Sequence, residues 1–161
     1  MAFEAFLKLG EDIGGESVEQ NHVGWIELLR WNIGLERSHQ AFRLDSTRVQ
    51  FTPFTVTKFI DSASAPLMTA CTRALHIPEA TIETCRFVTE SIPYVKYVLR
   101  DCRIQQVNWT AVPAGNADRP CEEVSIIYES IELSHTFIDT NHGPGGDFES
   151  QWNLAEAAPD S

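Results

Sequence analysis

Residues 54–71 read FTVTKFIDSASAPLMTAC, and the change of period inside this stretch decides the fold. Phe54, Val56 and Ile60 alternate with threonines, Phe59 and Asp61, the period of two of a strand lying between a core and a second surface. At Asp61 the period changes. Ser62 or Ser64 can cap a helix, and Pro66 suits its first turn. Leu67, Ala70, Cys71, Ala74 and Leu75 then share one helical face, which predicts a helix over about residues 62–76, ended by His76-Ile77-Pro78.

Upstream, Phe3, Ala5, Leu7 and Leu9 alternate as a first strand before glycines 10, 14 and 15 break the chain. From Val23 to Leu35 a second extended run has Ile26 and Leu28 in phase, then shifts parity to Leu29, Trp31, Ile33 and Leu35. Such a shift is the sequence trace of a bulge that bends a sheet. Residues 36–50, ERSHQAFRLDSTRVQ, are charged and lack alternation, so they read as a long loop.

Downstream, residues 80–87 form a weakly amphipathic strand, and Val95, Tyr97 and Leu99 alternate cleanly. The apolar parity moves to Cys102 and Ile104 beyond Asp101, then back to Val107 and Trp109 past Gln105-Gln106, implying two bends or a turn and a bend. After a loop over 113–120, Val124, Ile126 and Tyr128 alternate until Glu129-Ser130, where Ile131, Leu133 and Phe137 take the other parity. This reads as one long, kinked last strand. Residues 139–161 are rich in glycine, asparagine and acids and read as an extended tail, with Phe148, Trp152 and Leu154 as its large apolar groups.

With a single helix available to cover a sheet face, the sheets must be antiparallel and cover one another. The expected fold is mainly β: a flattened antiparallel β-barrel or two-sheet sandwich with one flanking helix, in a single domain spanning 1–161. A chain of this length buries about 70% of the surface its unfolded form exposes, so it needs no disulfide or metal to hold it. The four cysteines lack a CxxC pair and read as free thiols.

A net charge of −11 with only 12 Lys plus Arg excludes a phosphate-tracking surface, so nucleic acid is not an expected partner. No apolar run approaches the roughly 20 residues of a membrane helix. Met1-Ala2-Phe3-Glu4 has neither the basic start nor the apolar core of a secretory signal, so synthesis and folding in the cytoplasm are expected.

Catalytic and metal-binding patterns are weak. His39, Asp45 and Ser38 or Ser46 have the composition of a hydrolase triad without a nucleophile elbow. His22, His76, His135 and His142 lack HxxxH or HxH spacing. Asp139-x-Asn141 opens like a calcium loop but fails at Gly143 and Ser150. Neither catalytic residues, metal nor cofactor are expected. The four tryptophans, at 25, 31, 109 and 152, read as core or subunit packing.

The order TVTKFIDSASAPLMTAC…HIPEATI, the opening AFLKLGEDIGGES, the segment HVGWIELLRWNIG and the ending GPGGDFESQWNLAEA together resemble the Hcp (haemolysin-coregulated protein) family of bacterial type VI secretion. The resemblance implies a structural subunit, not an enzyme. It implies a homohexamer whose rings stack into a hollow tube, with a sheath, a VgrG-type spike and small effector proteins as partners. The protein would assemble in the cytoplasm and then be secreted without a signal peptide. Alternatives are a phage tail-tube protein and a monomeric small β-barrel binding module.

In such a ring one outer sheet face lines the hole. Arg30 and Asn32, and on another strand Glu129 and Glu132, have polar parity and are the cargo-facing candidates. The 36–50 loop, which in the family reaches toward the next ring, carries Arg37, His39, Arg43, Asp45 and Arg48 where relatives commonly have glycines. These are the ring-stacking candidates, and the expected contact is electrostatic.

Overall fold

The computed structural model describes residues 3–37, 49–87, 90–111, 119–138 and 144–154. In chain order they form β1 (Phe3–Leu9), β2 (Ile26–Leu28), β3 (Arg30–Asn32), β4 (Leu35–Arg37), β5 (Val49–Phe51), β6 (Phe54–Phe59), α1 (Ser64–Thr72), β7 (Ile77–Phe87), β8 (Ser91–Thr110), β9 (Cys121–Ile127), β10 (Ser130–Ile138) and β11 (Pro144–Asn153). The result is a sandwich of two antiparallel sheets that share β8. The first sheet runs β2-β1-β7-β8-β10-β11 and the second β8-β9-β6-β3.

The parity shifts mark where the chain changes sheet. β8 is 20 residues long, and its first half pairs with β7 and β10, its second half with β9. It bends at Asp101, whose φ of 55° is one an aspartate tolerates better than most residues. It bends again where the register against β9 slips between Ile104 and Gln106. Likewise β2 pairs with β1 in the first sheet and β3 with β6 in the second, while the Leu29 amide between them donates to Thr57 O at 2.8 Å.

Between the sheets lie Leu7, Leu9, Ile26, Phe54, Ile82, Leu99 and Ile126, all fully buried. Each such side chain stabilises the fold by about 1.5–3 kcal/mol relative to an exposed position. Trp31, Phe54 and Tyr97 form an aromatic cluster with ring centroids 5.1–5.8 Å apart. Trp31 Nε1 donates to Thr84 Oγ1 at 2.8 Å, so its polar atom is satisfied where it is partly buried.

The helix is shorter than its apolar spacing predicts. It covers Ser64–Thr72 with Ala63 at the N-cap and no side-chain cap, and it buries Leu67 and Ala70. Ala74 and Leu75 leave the predicted face. Ala74 takes a left-handed φ of 49°, while its amide donates to Cys71 O and that of Leu75 to Ala70 O, the paired bonds of a Schellman ending.

Three other expectations are corrected. The two ends of the 36–50 loop are paired, Leu35 with Phe51, Glu36 with Gln50 and Arg37 with Val49, so the loop stands on a two-stranded stem. The long last strand is two strands, because Tyr128-Glu129 passes the chain from the second sheet to the first. The tail supplies β11, which pairs with β10 from Ser130–Asn153 to Ile138–Pro144. Glycine-rich composition hid a strand whose ladder is built by β10.

Candidate functional site

Three surfaces stand out. The first is the outer face of the second sheet, which is polar. Asn32, Thr55, Ser125 and Gln106 form one row across β3, β6, β9 and β8, and Arg30, Thr57, Glu123 and Asn108 form the next. Arg30 Nε donates to Thr57 Oγ1 at 3.2 Å and its guanidinium lies 3.5 Å from Glu123, both exposed. The row of hydroxyls and amides beside that pair carries no charge.

The second is a hollow of about 540 Å³ at one end of the first sheet, lined by Phe3, Arg86, Tyr94, His135, Phe137 and Ile138. Phe3, Phe87, Phe137 and Phe148 are each more than half exposed there or on the adjoining strands. The third is an apolar groove of about 260 Å³ between the β4–β5 stem and the first sheet, with Leu35, Phe51, Leu133 and Trp152 in its walls. Clustered exposed apolar groups of this kind mark sites of protein association.

Beneath the surface are two ionic clusters. Lys58 and Glu122 are directly paired across β6 and β9 and neither is exposed. The Lys58 ammonium donates to Glu122, to Asp61 Oδ1 at 2.7 Å and to Phe59 O at 2.8 Å, so its three protons are used. Glu122 also accepts from Ser64 Oγ at 2.6 Å and Trp109 Nε1 at 2.9 Å. Asp61 Oδ1 accepts from the Ala63 amide at 2.9 Å, which ties the start of α1 to both strands. No buried side-chain oxygen or nitrogen of this cluster lacks a hydrogen-bond partner, and the cluster is structural.

The other cluster lies on the outer face of the first sheet, under residues 14–25. That segment folds back on itself through Gly15 N–H to Gly24 O at 2.8 Å and Ser17 N–H to Trp25 O at 3.0 Å. A Cβ on Gly15 would come within 2.5 Å of Trp25 O, so only glycine fits the fold-back. His22 is thereby buried, stacked on Phe6 at 4.2 Å and met edge-on by Trp25. Its Nδ1 lies 2.5 Å from Glu19 and its Nε2 2.7 Å from Glu83.

Burial raises the Glu19 carboxyl, but the hydrogen bond and charge of His22 and the Asn21 amide outweigh it and hold the group below its ordinary value. Cys85 Sγ lies 3.9 Å from His22 Nε2. Burial first, then Glu83, Glu19 and Glu4, push the Cys85 thiol up to about 11 against an opposing contact from Ser91. Burial likewise raises Cys102 to about 12. Neither thiol is a nucleophile at neutral pH.

The family model described as "Type VI secretion system effector, Hcp" matches residues 6–135. The chain belongs to the Hcp family. It is 26% identical over 161 residues to Protein hcp1 of Pseudomonas aeruginosa, covering 97% of this chain and 98% of that protein. A solved type six secretion system protein superposes with a TM-score of 0.89 at 23% identity, over 99% of this chain and 100% of the other. Hcp1 from Salmonella typhimurium gives 0.83 at 22%, over the same shares of the two chains. These likenesses establish the two-sheet fold, and the family is one of secreted, structural proteins of type VI secretion.

Within this Hcp fold the predicted cargo residues separate. Arg30 and Asn32 share the second sheet's polar face. Glu132 lies on the first sheet, where Arg100 donates to it at 3.3 Å, and Glu129 sits in the turn between sheets. Of the stacking candidates, Arg37 ends β4 on the stem, while His39, Arg43, Asp45 and Arg48 lie outside the described residues. The sequence reading missed the Lys58–Glu122 pair, although its signal was present. Lys58 falls in phase with Phe54 and Val56, and Glu122 with Val124 and Ile126: two opposite charges at core positions of neighbouring strands.

Proposed function

We propose that this Hcp chain is the subunit of a type VI secretion tube: six copies close into a ring, and rings stack into a hollow tube. The tube carries small effector proteins in its bore, is tipped by a VgrG-type spike and enclosed by sheath proteins, and assembles in the cytoplasm before it is expelled. The observation that carries this reading is the family match over residues 6–135. A head-to-tail contact between different patches closes into a ring when its rotation divides a circle, and an axial contact repeats without limit. The exposed aromatic hollow and the apolar groove give a chain of net charge −11 apolar surface on which to self-associate.

In this reading the second sheet's outer face lines the bore, because it is polar and bears few charges. Arg30 and Asn32 then touch cargo, while Glu129 and Glu132 lie away from it. Stacking uses the stem-mounted loop with Arg37, His39, Arg43, Asp45 and Arg48 against acidic surface of the next ring. Exposed pairs of this kind weaken above about 0.15 M salt, where the screening length is about 8 Å.

Electron microscopy and native mass measurement of the purified chain test the assembly: open-centred six-subunit rings are expected, and a monomer persisting at high concentration overturns it. Asn32→Trp is expected to leave rings intact and to reduce effector co-purification. Arg43→Glu plus Arg48→Glu is expected to leave rings and abolish low-salt stacking in sedimentation, and unchanged stacking removes the loop from the contact.

A further inference from the structure

We propose that His22, Glu83 and Cys85 form a site for a zinc-like divalent cation, with Glu19 positioning the His22 ring. One ligand atom from each of the three lies within 4.8 Å of the others. Zinc bonds of about 2.0–2.3 Å place tetrahedral ligand atoms about 3.3–3.7 Å apart. Glu83 Oε2 at 2.7 Å from His22 Nε2 must therefore retreat by roughly half an ångström, and Cys85 Sγ at 3.9 Å must close by less. The third pair, Glu83 and Cys85, lies within 4.8 Å and must close by up to about 1.2 Å, which rotation of the two side chains supplies.

The backbone supports this placement. Glu83 and Cys85 are two apart on β7, so both project from the outer face of the first sheet. His22 is delivered onto that face by the Gly15–Trp25 fold-back.

The surrounding groups are those a mixed nitrogen, oxygen and thiolate site uses. Glu19 against Nδ1 fixes the ring and leaves Nε2 for the metal, as the outer carboxylate does in carboxylate–histidine–zinc arrangements. Lys96 approaches Glu83 Oε1 at 3.7 Å and leaves Oε2 for ligation. Ser91 Oγ is the one buried side-chain oxygen or nitrogen without a hydrogen-bond partner among the described residues. Ser91 adjoins the Cys85 sulfur, so a metal-bound thiolate there would give that hydroxyl an acceptor. Glu4, Glu19 and Glu83 make the surroundings of the sulfur negative. A thiolate in the donor set selects zinc over calcium or magnesium.

The side chains of Glu19 and Glu83 are 21% and 16% exposed, so the cation enters, and a water completes the coordination, from their side. The thiol proton of Cys85 leaves to solvent on binding, and His22 ligates through an unprotonated Nε2. The Nδ1 proton stays on the hydrogen bond to Glu19. Affinity therefore falls as pH falls.

The test uses the full chain, stripped with chelator and titrated with Co²⁺ and then Zn²⁺. One equivalent of cobalt is expected to give a near-ultraviolet thiolate-to-cobalt charge-transfer band that zinc abolishes, and zinc is expected to raise the melting temperature. Cys85→Ser should lose the band, Cys121→Ser should keep it, and Glu19→Gln should keep it with affinity lowered about 10–100-fold. No band at saturating cobalt overturns the site, as does a band that survives Cys85→Ser. Because His22 is also part of the packing, Cys85→Ser and Glu19→Gln, checked for native far-ultraviolet circular dichroism, carry the decision. None of these readouts depends on ring formation.

Discussion

The two ionic clusters of this Hcp protein contain similar groups in opposite states of completion. Around Lys58 the central Lys58–Glu122 pair lies at zero exposure, each ammonium proton has an acceptor, and the partners come from three adjacent strands and the start of the helix. Around His22 the carboxylates reach water, the segment that buries the ring is a fold-back with short ladders, and a neighbouring hydroxyl has no partner. Burying charge costs several kcal/mol per ion before pairing offsets it. The first cluster therefore persists only when complete and rigid, whereas the second keeps contact with solvent and can exchange protons or accept a cation. Similar chemistry is structural in one place and responsive in the other.

Breaking the complete cluster has the largest expected effect. Lys58→Met leaves Glu122 buried and unpaired, and loss of one partner of a buried pair costs about 3–5 kcal/mol. For a chain of this size the melting temperature should fall by on the order of 10 °C. Lys58→Met combined with Glu122→Met should recover most of that loss in a thermal melt. If the single variant melts like the parent, the pair is not the buried tie that the contrast requires.

The responsive cluster should show itself through pH. Glu19 has its folded value lowered below that of the unfolded chain, so its contribution is fully present above the unfolded value and is lost as pH falls through the folded one. Hydrogen exchange should thus show amides of residues 15–25 losing protection in acid before those of β7 and β8. Glu19→Gln should flatten that dependence while leaving the sheets protected at neutral pH. Simultaneous loss across segment and sheets would mean that the two clusters do not differ in kind.

Much of this architecture was legible in the sequence, and for an identifiable reason. Alternation reports which side of a strand is buried, and the parity shifts at Leu29, Asp101 and Gln105-Gln106 fall where the chain bends or changes sheet. The strand over 144–153 was hidden because Gly145, Gly146 and Asn153 have weak strand preference. Pairing with β10 supplies what local propensity does not. The His22 cluster was hidden for another reason. Glu83 lies 61 positions from His22, and no spacing rule within a segment can register a partner brought in by fold topology. The polar face around Asn32 was legible as parity, but parity does not say which sheet bears it or whether a loop covers it. Hence Glu132, of the same polar character, lies on the other sheet with Arg100.

The smallest expected effect concerns the far end of the helix whose start the Lys58 cluster secures. There Ala74 carries a left-handed φ of 49° at the position that glycine favours after a helix, and its Cβ costs roughly 1–2 kcal/mol in that conformation. Ala74→Gly removes this cost but adds freedom to the unfolded chain worth about 0.4–1 kcal/mol. The difference leaves a net gain of about 0.5 kcal/mol, read as a slightly higher denaturant midpoint at unchanged slope. Because Arg103 Nη1 donates to Ala74 O at 2.7 Å, the backbone there is already held in place and the substitution should change strain alone. A loss of stability instead would mean that the alanine methyl packs favourably at this end, and that the helix is anchored at both termini rather than chiefly at the Lys58 end.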